Sequence, residues 1–173
     1  MASGRDCHDA GVGGLAPGID EFSPLFMPPV ADDDSWWPSH IDSTDLPVFL
    51  GAEWKHVLLG DDTGGGHLWT VVSAGPCLKS AFPRHWGAAL IGEAAALALR
   101  QHALQRGVLP AELPTEDFSH LVVVAGRRLV ITVSLDHDPS GRCIITTYPL
   151  RGQGVEKWIN GILSEVPLRP DET

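Results

Sequence analysis

The sequence predicts an α+β fold, a compact domain in which an antiparallel β-sheet packs with helices behind an irregular acidic leader. Three observations predict it. Residues 1 to 45 carry scattered Gly and Pro and an Asp run, with no sustained period. Residues 87 to 106 repeat apolar side chains at helical spacing. After them come short, alternating apolar runs separated by turn residues, and strands joined so tightly pair antiparallel.

The leader follows from composition. With 173 residues and 43% hydrophobic content, the chain supports one core and is too apolar to be wholly disordered. It holds no run of the roughly 18 apolar residues that a membrane span needs, so no membrane partner is expected. Met1 to Gly14 lacks the basic start and apolar block of a secretory signal. Cys7, Cys77 and Cys143 are odd in number and without C-x-x-C spacing, which argues against a disulfide framework and for a reducing, cytoplasmic site of action. The formal net charge of −10 opposes what phosphate binding normally draws on. In the first 50 residues, however, nine acids from Asp6 to Asp45 face Arg5 alone, whereas the remainder has thirteen acids and eleven bases. The acidity belongs to the front. Its apolar patches, Phe22 to Met27 and Trp36-Trp37, would let the leader dock on its own domain with carboxylates standing where phosphates would bind.

The folded domain is expected over 46 to 168, with 169 to 173 as a tail. Leu46, Val48, Phe49, Leu50, Trp54, Val57 and Leu58 predict a helix or helical turn that delivers His56 and breaks at Gly60-Asp61-Asp62. Gly64-Gly65-Gly66 follows, a loop whose bare backbone can approach a phosphate or turn sharply. Leu68 to Ser73 reads as a strand. In the long helix, Leu90, Ala94, Leu97 and Leu104, with Ile91, Ala95 and Ala98, form the expected buried stripe, and Gly107 is its left-handed cap. Leu121 to Val124 and Leu129 to Leu135 read as strands about a Gly126-Arg127 turn. A second turn over Asp136 to Gly141 leads to a strand from Arg142 to Tyr148, ended by Pro149. Period two puts Thr146 and Tyr148 on one face and Cys143, Ile145 and Thr147 on the other. Val155, Trp158, Ile159, Ile162 and Leu163 read as a closing amphipathic helix.

The chemistry concentrates in the stretch from His56 to Trp86. His56, His67 and Lys79 fall within 24 residues, and that trio suffices to split a phosphodiester without a metal. A neutral imidazole takes a proton, an imidazolium gives one, and an ammonium holds charge developing on a phosphoryl oxygen. Thr146 and Tyr148, neighbours on one strand face, can read and stack a nucleobase. Zinc binding by His56, His67 and Cys77 is disfavoured because no close ligand pair at helical spacing accompanies them, so neither metal nor cofactor is expected. His85, His102, His120 and His137 read as surface or structural residues.

Taken together, His56, the Gly-Gly-His ending at His67, Lys79 followed by Phe82-Pro83 and Trp86, and Thr146-Thr147-Tyr148-Pro149 resemble the bacterial EndoU nuclease domain. The resemblance covers about residues 53 to 165 and keeps four ordered elements. It implies a compact EndoU- or barnase-like ribonuclease fold and RNA cleavage to 2′,3′-cyclic phosphate and 5′-hydroxyl ends, with DNA refused for want of a 2′-hydroxyl. It further implies that one of His56 and His67 is the base and the other the acid, that Lys79 stabilises the transition state, and that Gly65, Gly66, Thr146 and Tyr148 bind substrate. Phe82, Pro83 and Trp86 would aim Lys79. By the same resemblance the chain is a bacterial toxin delivered within a secreted protein, with tRNA the first target to test and a cognate immunity protein as partner. The alternative from another class is a noncatalytic RNA- or protein-binding module on the same scaffold.

Overall fold

A computed structural model describes residues 45, 48, 54–138 and 141–173; residues 1 to 44 of the leader, with its apolar patches and Cys7, lie outside them. The fold is α+β. Helices α1 (Trp54–Leu58), α2 (Trp69–Ser73) and α3 (Ala88–Arg106) accompany strands β1 (Ser80–Ala81), β2 (Asp117–Val124), β3 (Arg127–Asp138), β4 (Gly141–Gly152), β5 (Glu156–Ile159) and β6 (Ile162–Glu165). They form two antiparallel three-stranded sheets, ordered β2-β3-β4 and β1-β5-β6.

Helix α3 packs on β2 and β3. Its buried side is rich in alanine: Ala88, Ile91, Ala94, Ala95, Ala98, Leu99 and Ala103 are buried with Phe118, Val122, Leu129, Ile131 and Val133 of the sheet. Small side chains let the helix axis approach the sheet closely, so the bulkier Leu90 and Leu97 are only partly buried and Leu104 is exposed. The expected stripe is therefore right for Ile91, Ala94, Ala95 and Ala98 and wrong for Leu104. Gly107 ends α3 in the left-handed conformation, φ 70°, as its sequence indicates.

Four local expectations are corrected. Leu68 to Ser73 is not a strand: Trp69–Ser73 is one turn of helix, held from outside because the Trp158 indole donates to the Val72 carbonyl at 2.8 Å and the Trp69 indole donates to Glu156. Tertiary bonds here override the β propensity of Trp-Thr-Val-Val. The hairpin turn is Ala125-Gly126, φ 48° and 72°, one residue earlier than expected. The closing segment is not a helix but the β5–β6 hairpin, turning at Asn160-Gly161 with φ 52° and 80°, the dipeptide that a two-residue turn with positive φ favours. Nor does Pro149 end its strand, since β4 continues to Gly152. Proline survives there because β4 is an edge strand and the register shifts beside it, Ile131 facing Pro149 but Val130 facing Arg151.

A second register shift decides the face pattern of β4. Ser134 faces Thr146 while Leu135 faces Ile144, so Ile145 is the extra residue of a bulge. Thr147 and Ile144 thereby share the core side, and Cys143 moves to the opposite one, against simple alternation. Asp45, assigned to the leader, is fully buried and bonded to Arg100 of α3. The expected tail is docked too: Glu172, in the 3-10 turn Pro170–Glu172, pairs with Arg151, which holds its carboxyl down at about 2, and its carbonyl accepts from Arg128 at 2.9 Å. Cys77 is disulfide-bonded, contrary to the expectation of a chain without disulfides, and Cys143 is a buried thiol.

Candidate active site

The loop after α1 returns along the end of the helix that precedes it. The His56 carbonyl accepts from Gly60 N–H at 3.0 Å and Gly66 N–H at 2.9 Å, Val57 accepts from His67 N–H at 3.1 Å, and Leu58 accepts from Leu68 N–H at 3.3 Å. These are carbonyls that a helix end leaves without intrahelical partners. Satisfying them with the glycine loop brings His67 alongside His56. Gly65 makes the close pass possible: at φ 67°, a Cβ there would lie 1.9 Å from the His56 carbonyl oxygen. No other residue type fits this position.

The segment after Cys77 is tied to the same loop. Phe82 N–H donates to the His67 carbonyl at 2.9 Å, and His67 Nδ1 lies 2.8 Å from the Ser80 carbonyl. Phe82 and Trp86 are buried and stacked, ring centroids 6.1 Å apart, which anchors the chain that presents Lys79. The Ser80 hydroxyl in turn donates to the Pro149 carbonyl of β4.

These elements enclose a cavity of about 420 Å³ lined by His56, Thr63, Gly65, His67, Leu78, Lys79, Ser80, Thr146, Tyr148, Leu150 and Lys157. All five side chains expected to do chemistry, His56, His67, Lys79, Thr146 and Tyr148, therefore converge. Gly65 lines the cavity, whereas Gly66 does not, and its N–H is committed to His56. Gly66 shapes the loop instead of offering a phosphate donor.

The two imidazoles have opposite supports. His67 is 8% exposed, and burial, opposed by its bond to Ser80 and reinforced by Lys79 and His56, lowers its pKa to about 4. A carbonyl only accepts, so Nδ1 carries the proton, and the neutral ring, which lines the cavity, keeps Nε2 unprotonated. The Tyr148 ring stacks on it at 5.4 Å and 27°, holding its plane. His56 Nδ1 lies 3.0 Å from Asp61 Oδ2. Asp61 also accepts from the Thr63 amide at 2.8 Å and the Thr63 hydroxyl at 2.6 Å, and these bonds with the one from His56 push its pKa well down. An ionised carboxylate on Nδ1 fixes the plane of the His56 ring.

The Thr146 hydroxyl is buried without a hydrogen-bond partner among the described residues, an arrangement that calls for one from a bound molecule or water. Among the described residues, no carboxylate lines the cavity and no three of His, Cys, Asp and Glu are grouped to hold a metal. The sequence reading missed Asp61, Thr63, Ser80 and Lys157. Asp61-x-Thr63 was open to recognition as an Asx turn five residues after His56; Lys157 was hidden by the helical reading of its strand. Among the described residues, no helix is long and apolar enough to cross a membrane. Compared with protein-family models, with curated proteins and with solved structures, the chain matches none.

Proposed function

We propose that this chain is a metal-independent endoribonuclease of the EndoU type, cleaving RNA by internal attack of a ribose 2′-hydroxyl. The observation that carries the reading is the pair of oppositely supported imidazoles on one cavity. His67, neutral at pH 7, takes the 2′-hydroxyl proton at Nε2 as the oxygen attacks phosphorus; the anionic phosphodiester beside it raises its basicity during the step. The bond from phosphorus to the 5′-oxygen breaks, and His56, oriented by Asp61 through Nδ1, gives its Nε2 proton to that oxygen. A 2′,3′-cyclic phosphate and a 5′-hydroxyl result, and proton exchange with solvent resets both rings.

Lys79 offsets the charge that gathers on the phosphoryl oxygens in the transition state. Tyr148 keeps His67 oriented, and the Thr146 hydroxyl contacts the base or phosphate next to the scissile bond. The ordered resemblance to EndoU domains supports the same roles, and with it the EndoU-like fold, a toxin setting, tRNA as the first target and an immunity protein as partner. The test is cleavage of total RNA, tRNA included, in EDTA, by wild type and His67→Ala with product ends analysed. Cyclic-phosphate ends that persist in EDTA and vanish in the variant are expected. No cleavage by the wild type, repeated after removing residues 1 to 44, would sink the enzyme reading in favour of a binding module.

A further inference from the structure

Lys157 lies outside the trio the sequence singles out, yet it faces the same cavity. Its direction follows from strand alternation. Its neighbours Glu156 and Trp158 turn toward α2, where Glu156 accepts from the Trp69 indole and Trp158 donates to the Val72 carbonyl. Period two then turns Lys157 the other way. There it stands directly across from Ser80 in the β1–β5 pair, the residue next to Lys79 and the one whose carbonyl fixes His67.

With Lys79 assigned to the scissile phosphate, Lys157 is a second ammonium on the cavity wall, and no carboxylate among the described residues lines it. Nearby carboxylates are engaged elsewhere: Glu156 with Arg84 and Trp69, Asp61 with His56 and Thr63, Glu165 with the Gly154 amide. Lys157 has no ion-pair or hydrogen-bond partner among the described residues, and a volume of about 420 Å³ is in the range that takes a ligand much larger than a phosphate. We propose that Lys157 holds a second phosphate of the same strand, adjacent to the scissile one, so that the substrate class is an RNA strand of at least three nucleotides. This rests on the endoribonuclease reading.

The test compares wild type, Lys157→Ala and Lys157→Arg on a dinucleoside monophosphate, which has the scissile phosphate alone, and on a tetranucleotide with the same scissile step. The expected result for Lys157→Ala is a KM raised about tenfold on the tetranucleotide, kcat within about twofold, no change on the dinucleotide, and recovery in Lys157→Arg. The salt dependence of kcat/KM should also weaken by about one counterion. An equal loss on both substrates would assign Lys157 to the scissile phosphate, and no loss on either would leave it without a role; each overturns the proposal while sparing the enzyme. Failure of the wild type on both substrates instead overturns the endoribonuclease reading. Binding of the all-2′-deoxy tetranucleotide, which cannot be cleaved, then judges the subsite by itself: about tenfold weaker binding by Lys157→Ala supports it, and equal affinity rejects it.

Discussion

Two pairs of histidines occupy this molecule in opposite circumstances. At the cavity, His56 and His67 each bind a fixed acceptor through Nδ1, and neither has a bond at Nε2 among the described residues. Between α3 and β2, His102 has both nitrogens occupied: Nδ1 lies 3.1 Å from His120 Nε2 and Nε2 lies 2.9 Å from Glu116 Oε1, while its ring stacks on Phe118 at 4.0 Å. Glu116 is further tied to Arg106, and these bonds outweigh its burial to hold its pKa down. Residue type and number are the same in both places. A histidine is available for chemistry only where one nitrogen is anchored and the other opens on a space that admits substrate.

Substitution at His67 tests that contrast most strongly. His67→Ala should lower kcat/KM by about 10² to 10⁴, the range for loss of a proton-transfer group, whereas His102→Ala should leave turnover within about threefold. Comparable losses in both would erase the distinction. Gly65→Ala comes next. Its Cβ meets the His56 carbonyl, the loop must shift, and a misplacement of about 1 Å is worth about 10²-fold in rate; turnover and circular dichroism together show whether the loop or the whole fold gave way. Asp61→Asn should cost about tenfold in turnover, because the carboxylate that fixes His56 Nδ1 at 3.0 Å is lost. Unchanged turnover would remove Asp61 from the support of His56.

His67 also makes stability depend on pH. Its pKa is about 4 in the folded state against 6.5 in the unfolded one, so between those values the unfolded chain binds more protons and stability falls as pH falls. The full stabilisation is present above pH 6.5, and about 3 kcal/mol is lost by pH 4. Denaturant unfolding of wild type and His67→Ala at pH 7 and pH 4.5 should show the difference between the two proteins narrowing with acid.

The sequence reveals the site more fully than it reveals the scaffold. His56, His67, Lys79, Thr146 and Tyr148 were singled out because proton transfer and phosphate binding tolerate few residue types, and the fold brings all five to one cavity. The long helix was legible from its period and its Gly107 cap. What misled were short apolar segments, where helix and strand patterns coincide. Trp69–Ser73 and Glu156–Ile159 exchanged identities because each is fixed by the other: the indoles of Trp69 and Trp158 bond across to Glu156 and Val72, a partnership over 86 residues or more that no local window contains. The cavity face of β4 survived, since the bulge at Ile145 falls before Thr146, but the place of Cys143 did not.

The smallest effect belongs to the second histidine pair. His120→Leu removes the partner of His102 Nδ1 while keeping a side chain of similar bulk, and the loss of one partly buried hydrogen bond is worth about 1 kcal/mol. The groups facing His120 are His102 and the Phe118 ring, with Glu116 and Arg106 behind His102. Burial, followed by repulsion from His102, lowers the His120 pKa, so its contribution is present above the ordinary histidine value and is lost as pH falls below it. The variant should therefore unfold at lower denaturant than the wild type at pH 7, approach it near pH 5, and cleave RNA at an unchanged rate. A drop in turnover with unchanged unfolding would reverse the assignment, because it would show that the packed pair, with every nitrogen of His102 committed, nevertheless reaches the reaction at the cavity.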